Sequence, residues 1–182
     1  TSSHAERGTT QGDTTVNYLE YTTISATANY GYHFTQWNDG NTDNPRVVQV
    51  TGDKTYTAYF DKNTYSITTQ YDAQQGSITG PTSGKYLDVI TLTATPKYGY
   101  HFTQWSDDVT TNPRSFVLTK DTTFAAFFTV NQYQLSTSSN NPEAGTVSGA
   151  GTYDYNTYAE ISATANYGYH FSYWNDGNTD NP

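Results

Sequence analysis

Three histidines, His33, His101 and His170, each follow a Gly-Tyr pair and precede a phenylalanine, with a threonine or serine one residue further on. A histidine beside a hydroxyl is the raw material of a base-activated nucleophile. These three recur 68 and 69 residues apart, so they mark one position used three times and not one assembled triad. A repeated structural histidine on a strand is the preferred reading. His4 stands alone near the start, and the chain has no cysteine, which removes thiol chemistry and disulfides together. No catalytic residue and no cofactor are expected.

The second chemical candidate is the oxygen-rich run Asn38-Asp39-Gly40-Asn41-Thr42-Asp43-Asn44, which returns before Pro182. Carboxylate and amide oxygens at alternating positions suit Ca²⁺. The run lacks the twelve-residue frame and closing glutamate of an EF-hand, and the middle copy carries Asp108 and Val109 where Gly40 and Asn41 stand. A turn between strands accounts for the same Asp-Gly and Asn-Pro pairs. No metal ligand is assigned, and calcium dependence stays open at this point.

Both candidates belong to a longer repeat. Gly-Tyr-His-Phe begins at Gly31, Gly99 and Gly168, and three residues after each phenylalanine stands a tryptophan: Trp37, Trp105 and Trp174, the only tryptophans in the chain. The heptapeptide from Ile24 to Tyr30 returns unchanged from Ile161 to Tyr167. A fixed period of this size signals an array of small modules. We place the modules at 1–62 (lacking its first strand), 63–130 (complete) and 131–182 (lacking its last two strands). The expected parent is a longer array of which this chain is an excerpt or processed piece.

Period-two alternation dominates the complete copy. Tyr65, Ile67, Thr69 and Tyr71 share one face of a first strand, and a turn is expected at residues 76–80. Ile90, Leu92 and Ala94 alternate in a second strand ending at Pro96, and Phe116 with Leu118 in a third. Phe124, Ala126 and Phe128 line the last, matching Tyr56, Ala58 and Phe60 in the first copy. No helical period is visible. The predicted fold is all-β: tandem small antiparallel modules of about 68 residues, as the repeat spacing dictates.

Within the signature, Gly31, Gly99 and Gly168 suit positive φ at a tight turn between bulky aromatics. Phe34, Phe102 and Phe171 lie three residues from their tryptophans, an odd spacing that a regular strand sends to opposite faces. Either a β-bulge brings each pair to one face or the strand is covered on both faces; the bulge is the preferred reading, with tryptophan as the core anchor in both cases.

Composition bounds the partners. Eight Lys and Arg against 17 Asp and Glu give a net charge of -9, which argues against nucleic acid and anionic membrane. No apolar run approaches the roughly 20 residues that span a bilayer, so membrane insertion is not expected. Mean hydropathy is -0.77, yet 18 tyrosines and 8 phenylalanines provide bulk for a core, so the chain is expected to fold. The absence of any Asn-X-Ser/Thr sequon favours a bacterial origin.

The ordered run from Gly31 to Phe60 (Gly-Tyr-His-Phe-Thr-Gln-Trp, Asp-Gly, Asn-Pro-Arg, a valine-rich strand, Asp-Lys-Thr, Tyr-Thr-Ala-Tyr-Phe) resembles the divergent InlB B-repeat of the Listeria-Bacteroides repeat group. The middle copy matches from Tyr65 to Phe128, and the third as far as it runs. The resemblance implies tandem modules in bacterial surface or secreted proteins and a β-grasp-like sheet, here a variant without its helix. It implies an extracellular or cell-surface location, and fixes location better than function.

Three roles follow as expectations. The first is a non-catalytic, semi-rigid spacer or stalk, whose modules meet through Asp61-Lys62-Asn63 and Thr129-Val130-Asn131 and have neighbouring repeats as their partners. The second is an adhesin that binds glycan or host and matrix protein through exposed tyrosines, with Tyr18, Tyr21, Tyr153, Tyr155 and Tyr158 as the surface. The third is self-association into filaments by strand donation between incomplete end copies.

Overall fold

The computed structural model describes residues 1–12 and 14–182, and among them there is no helix. Contacts divide the chain into two compact units. One comprises Thr1–Thr69, Thr79–Thr93 and Asn112–Phe124; the other comprises Gln70–Ile78, Ala94–Thr111 and Ala125–Pro182.

In the first unit β1 (Gly8–Gln11), β2 (Tyr21–Ala28) and β4 (Arg46–Gln49) form an antiparallel sheet with β2 in the centre. A separate pair joins β3 (Tyr32–Trp37) to β5 (Ala58–Lys62). Between them lies a core of Ile24, Ala26, Trp37, Val48, Ala58 and Phe60, against which Phe34 and Tyr56 pack. Alternation on β2 produces this: Ile24 and Ala26 point inward while Tyr21 and Thr23 face water. The same unit holds β6 (Thr64–Gln70) beside β8 (Ser83–Lys85), and pairs β11 (Arg114–Val117) with the start of β9 (Val89–Pro96). Ile67, Ile90, Leu92 and Leu118 are buried here.

In the second unit β10 (Tyr100–Trp105) pairs with β12 (Thr122–Val130) from Ala126 onward, in the register that β3 and β5 adopt. Phe102 packs on Trp105 at 5.4 Å and on Phe128 at 6.1 Å between ring centroids. β7 (Gly76–Thr79) lies along β9. The third copy contributes two interleaved antiparallel strand pairs, β13 (Gln132–Leu135) with β15 (Gly151–Asp154) and β14 (Gly145–Ser148) with β16 (Ser162–Ala165).

The bulge falls inside the signature. Register shifts between Phe34 and Gln36 on β3 and between Phe102 and Gln104 on β10. The bulged threonine hydroxyl donates across the strand pair, Thr35 to the Tyr59 carbonyl at 3.1 Å and Thr103 to the Phe127 carbonyl at 3.0 Å. The extra residue turns tryptophan onto the phenylalanine's side, which an even pleat cannot do. Trp37 and Trp105 end 1% and 0% exposed. Truncating a side chain of this size in such a site costs about 3–5 kcal/mol.

The turn expected at residues 76–80 lies earlier. Asp72 closes it by accepting the Gly76 N–H on its carbonyl at 3.0 Å and the Gln74 N–H on its carboxylate at 2.8 Å. Gly76 begins β7 and is small for packing: a Cβ there would come 2.5 Å from the Phe128 ring.

Candidate functional site

The Tyr-Gly-Tyr-His segment turns where β3 and β10 begin. Gly31 and Gly99 have φ of 84° and 86°, and each turn closes with an N–H to carbonyl bond, Tyr32 to Asn29 at 3.1 Å and Tyr100 to Lys97 at 3.0 Å. The glycines also make room. A Cβ on Gly31 would run into the ring of Tyr86, and one on Gly99 into the ring of Tyr155. Tyr86 and Tyr155 occupy the same register in successive copies, so each glycine receives a tyrosine from the copy that follows it.

The linker completes the contact. The Asn63 N–H donates to the Gly31 carbonyl at 2.8 Å, and the Asn63 carbonyl accepts from the Tyr86 N–H at 2.8 Å. The second linker repeats this with Asn131, at 2.8 Å to Gly99 and 2.7 Å from Tyr155. Its side chain is used as well: Asn63 Oδ1 lies 2.9 Å from His33 Nδ1, and Asn131 Oδ1 lies 2.7 Å from His101 Nδ1. An amide oxygen only accepts, so the ring N–H donates and the histidine pins the linker. Edge-on tyrosines finish the joint, Tyr30 against Tyr86 at 5.6 Å and Tyr98 against Tyr155 at 5.3 Å.

His170 has no such partner among the described residues, and Gly168, with φ of 87°, has open space where its Cβ would lie. Trp174 is half-buried, and the Phe171 ring packs against it, tilted, at 5.1 Å between centroids.

The oxygen-rich loop consumes its own ligands. Trp37 Nε1–H donates to the Asp43 carbonyl at 2.9 Å, and the Asp43 N–H donates to Asn41 Oδ1 at 2.8 Å. Asn44 bonds both the N–H and the carbonyl of Ala26, at 2.8 and 2.7 Å. Arg46 donates to Asp39 Oδ1 at 2.8 Å and holds that carboxyl down at about 2. Asn178, Asp180 and Asn181 repeat the loop's bonds in the third copy. Among the described residues no group of three or more His, Asp or Glu is placed to hold a metal.

The five tyrosines proposed as a binding surface differ in fate. Tyr18, Tyr21 and Tyr158 are open to water, whereas Tyr153 is half-buried and donates its hydroxyl to the Gly149 carbonyl at 2.9 Å. Tyr155 is taken up by the second joint, because its ring fills the space that Gly99 leaves. It is therefore not a free contact residue. The signal that would have sorted it was register: Tyr18, Tyr86 and Tyr155 are counterparts, each followed by a positive-φ residue, Leu19, Leu87 or Asn156.

The divergent InlB B-repeat domain matches the chain three times, over residues 1–64, 66–132 and 135–181. The chain belongs to this family. No curated protein and no solved structure matches it. Divergent InlB B-repeats occur in bacterial surface proteins. Their borders give the joints a meaning, since Gly31 and Asn63 fall in the first match, Tyr86 in the second and Tyr155 in the third. Each joint thus ties one B-repeat to the next.

Proposed function

We propose that this chain is a non-catalytic, extracellular array of a bacterial surface or secreted protein, working as a semi-rigid spacer. The modules are those at 1–62, 63–130 and 131–182. One observation carries the reading: both joints use the same glycine, the same linker asparagine and the same histidine, with hydrogen bonds within 0.2 Å of one another. A linker bonded on both sides of its peptide has little freedom, and repeats coupled to their neighbours behave as a quasi-one-dimensional structure. A net charge of -9 and the lack of cysteine suit an exported chain held by packing alone.

Because the chain has no cysteine, introduced pairs provide unique spin-label sites. Labels on strands either side of Asn63 should give a narrow distance distribution that broadens in Gly31→Val. A broad distribution in the unsubstituted chain overturns the spacer reading.

A further inference from the structure

Oxidation chemistry in this chain falls to aromatic rings. The sequence has no cysteine and no methionine, the sulfur side chains that oxidants attack first, and it has 18 tyrosines. Trp37 and Trp105 are buried, so the accessible electron donors are mostly phenols. At both joints two phenols from successive repeats are already in contact. Tyr30 meets Tyr86 with ring centroids 5.6 Å apart and planes at 84°, and Tyr98 meets Tyr155 at 5.3 Å and 90°. Edge-to-face rings at such separations touch. The same two register positions supply both pairs: the residue before the signature glycine and the ring that covers that glycine. Tyr30 is 67% exposed, which leaves it open to an oxidant, and its hydroxyl donates to the Thr119 carbonyl at 2.9 Å, which keeps the ring against the following repeat.

We propose that these pairs are sites of oxidative cross-linking, Tyr30 to Tyr86 and Tyr98 to Tyr155, each forming a dityrosine that staples one repeat to the next. The oxidant is hydrogen peroxide acting through a haem peroxidase. Each phenol gives up one electron and its hydroxyl proton, and the two radicals join at Cε, ortho to the oxygen, in one new carbon-carbon bond. The hydrogen on each joined Cε then moves to its ring oxygen and restores the phenol. The two electrons and two protons lost reduce one peroxide to two waters. Rings held in contact couple at an effective concentration that a dilute second molecule does not match, which selects these pairs over the other exposed tyrosines.

The inference stands on the ring contacts and is independent of the spacer reading: a joint that cross-links yet bends freely sinks that reading alone. Peptide mapping of the monomer fraction, after the dilute full chain is treated with peroxide and a haem peroxidase, tests it, with free tyrosine as the control for the oxidant. Trypsin cuts after Lys and Arg, so fragments 8–46 and 86–97 should be recovered joined, as should 98–114 and 121–182. Each joined pair should be lighter than its sum by the two hydrogens lost and should show dityrosine fluorescence. Tyr30→Phe should lose the first pair and keep the second, and Tyr98→Phe the reverse; phenylalanine keeps the ring edge and lacks only the oxygen. Tyr32→Phe, whose ring lies 5.5 Å from Tyr86, should change neither. The proposal is overturned by a monomer fraction without dityrosine, by linked fragments that are chiefly others, or by a first pair that survives Tyr30→Phe.

Discussion

At the first joint Tyr86 meets three tyrosine rings, Tyr30 at 5.6 Å, Tyr32 at 5.5 Å and Tyr65 at 6.4 Å, whereas at the second Tyr155 meets Tyr98 at 5.3 Å. Ion pairs follow the same division. Lys85 lies 3.0 Å from Asp61 and Lys62 lies 3.7 Å from Asp88 beside the first joint. The corresponding linker positions at the second are Thr129 and Val130, and Gln132 bonds Asp154 at 2.9 Å nearby. The backbone bonds through Asn63 and Asn131 are nonetheless alike. Glycine, asparagine and histidine are common to both joints; the tyrosines and charges around them are what differ.

Gly31→Val and Gly99→Val should have the largest effect and the most equal one. Each forces a branched residue into positive φ and against a tyrosine ring, a loss of at least about 2 kcal/mol. Native-state amide exchange at Asn63 and Asn131 reads the two joints separately. Markedly unequal losses would break the equivalence of the two frames.

Tyr86→Ala and Tyr155→Ala should then separate the joints. The two additional ring pairs at Tyr86 are worth about 0.5–1.5 kcal/mol each, so its truncation should cost about 1–3 kcal/mol more in denaturant unfolding. Equal costs would show that the extra rings are idle. His33→Ala and His101→Ala come next, at about 1 kcal/mol apiece for a lost hydrogen bond, and should again be matched.

Acid should give the smallest and most one-sided change. Lys85 donates to Asp61 and holds its carboxyl below the usual range, with the Lys62 amide helping. A carboxyl lowered in the folded state adds stability that is complete above its unfolded value of about 4 and is lost as pH falls through the folded value. Amide exchange at Tyr86, compared with Tyr155 across that window, should therefore show the first joint loosening. Asp61→Asn should remove the difference in pH response.

Alternation exposed the core faces directly: Ile90, Leu92 and Ala94 on β9, and Ala126 and Phe128 on β12, are all buried. The odd Phe-Trp spacing pointed to a bulge or to a strand covered on both faces, and the register shifts after Phe34 and Phe102 decide for the bulge. What alternation cannot show is which distant residue covers a face. His33 finds Asn63 thirty residues on, and Gly31 makes room for Tyr86 in the next copy; neither contact leaves a local periodic trace. The Asp72 turn was missed for a related reason. Gly76 looks like a turn residue in one dimension, and only the Phe128 ring beside it explains its size.

The asparagine bridge has a mechanical consequence. Its two backbone bonds run from residues already joined by the covalent chain, Asn63 to Gly31 behind it and to Tyr86 ahead. Tension along the polypeptide passes through the peptide bonds of the linker whether or not these bonds are made. Bending and torsion at the linker strain them directly. In the spacer proposed above, the joint is expected to act as a stiffener against sideways load, and a pull strong enough to lengthen the array should unravel strands before it has any need to break the joint.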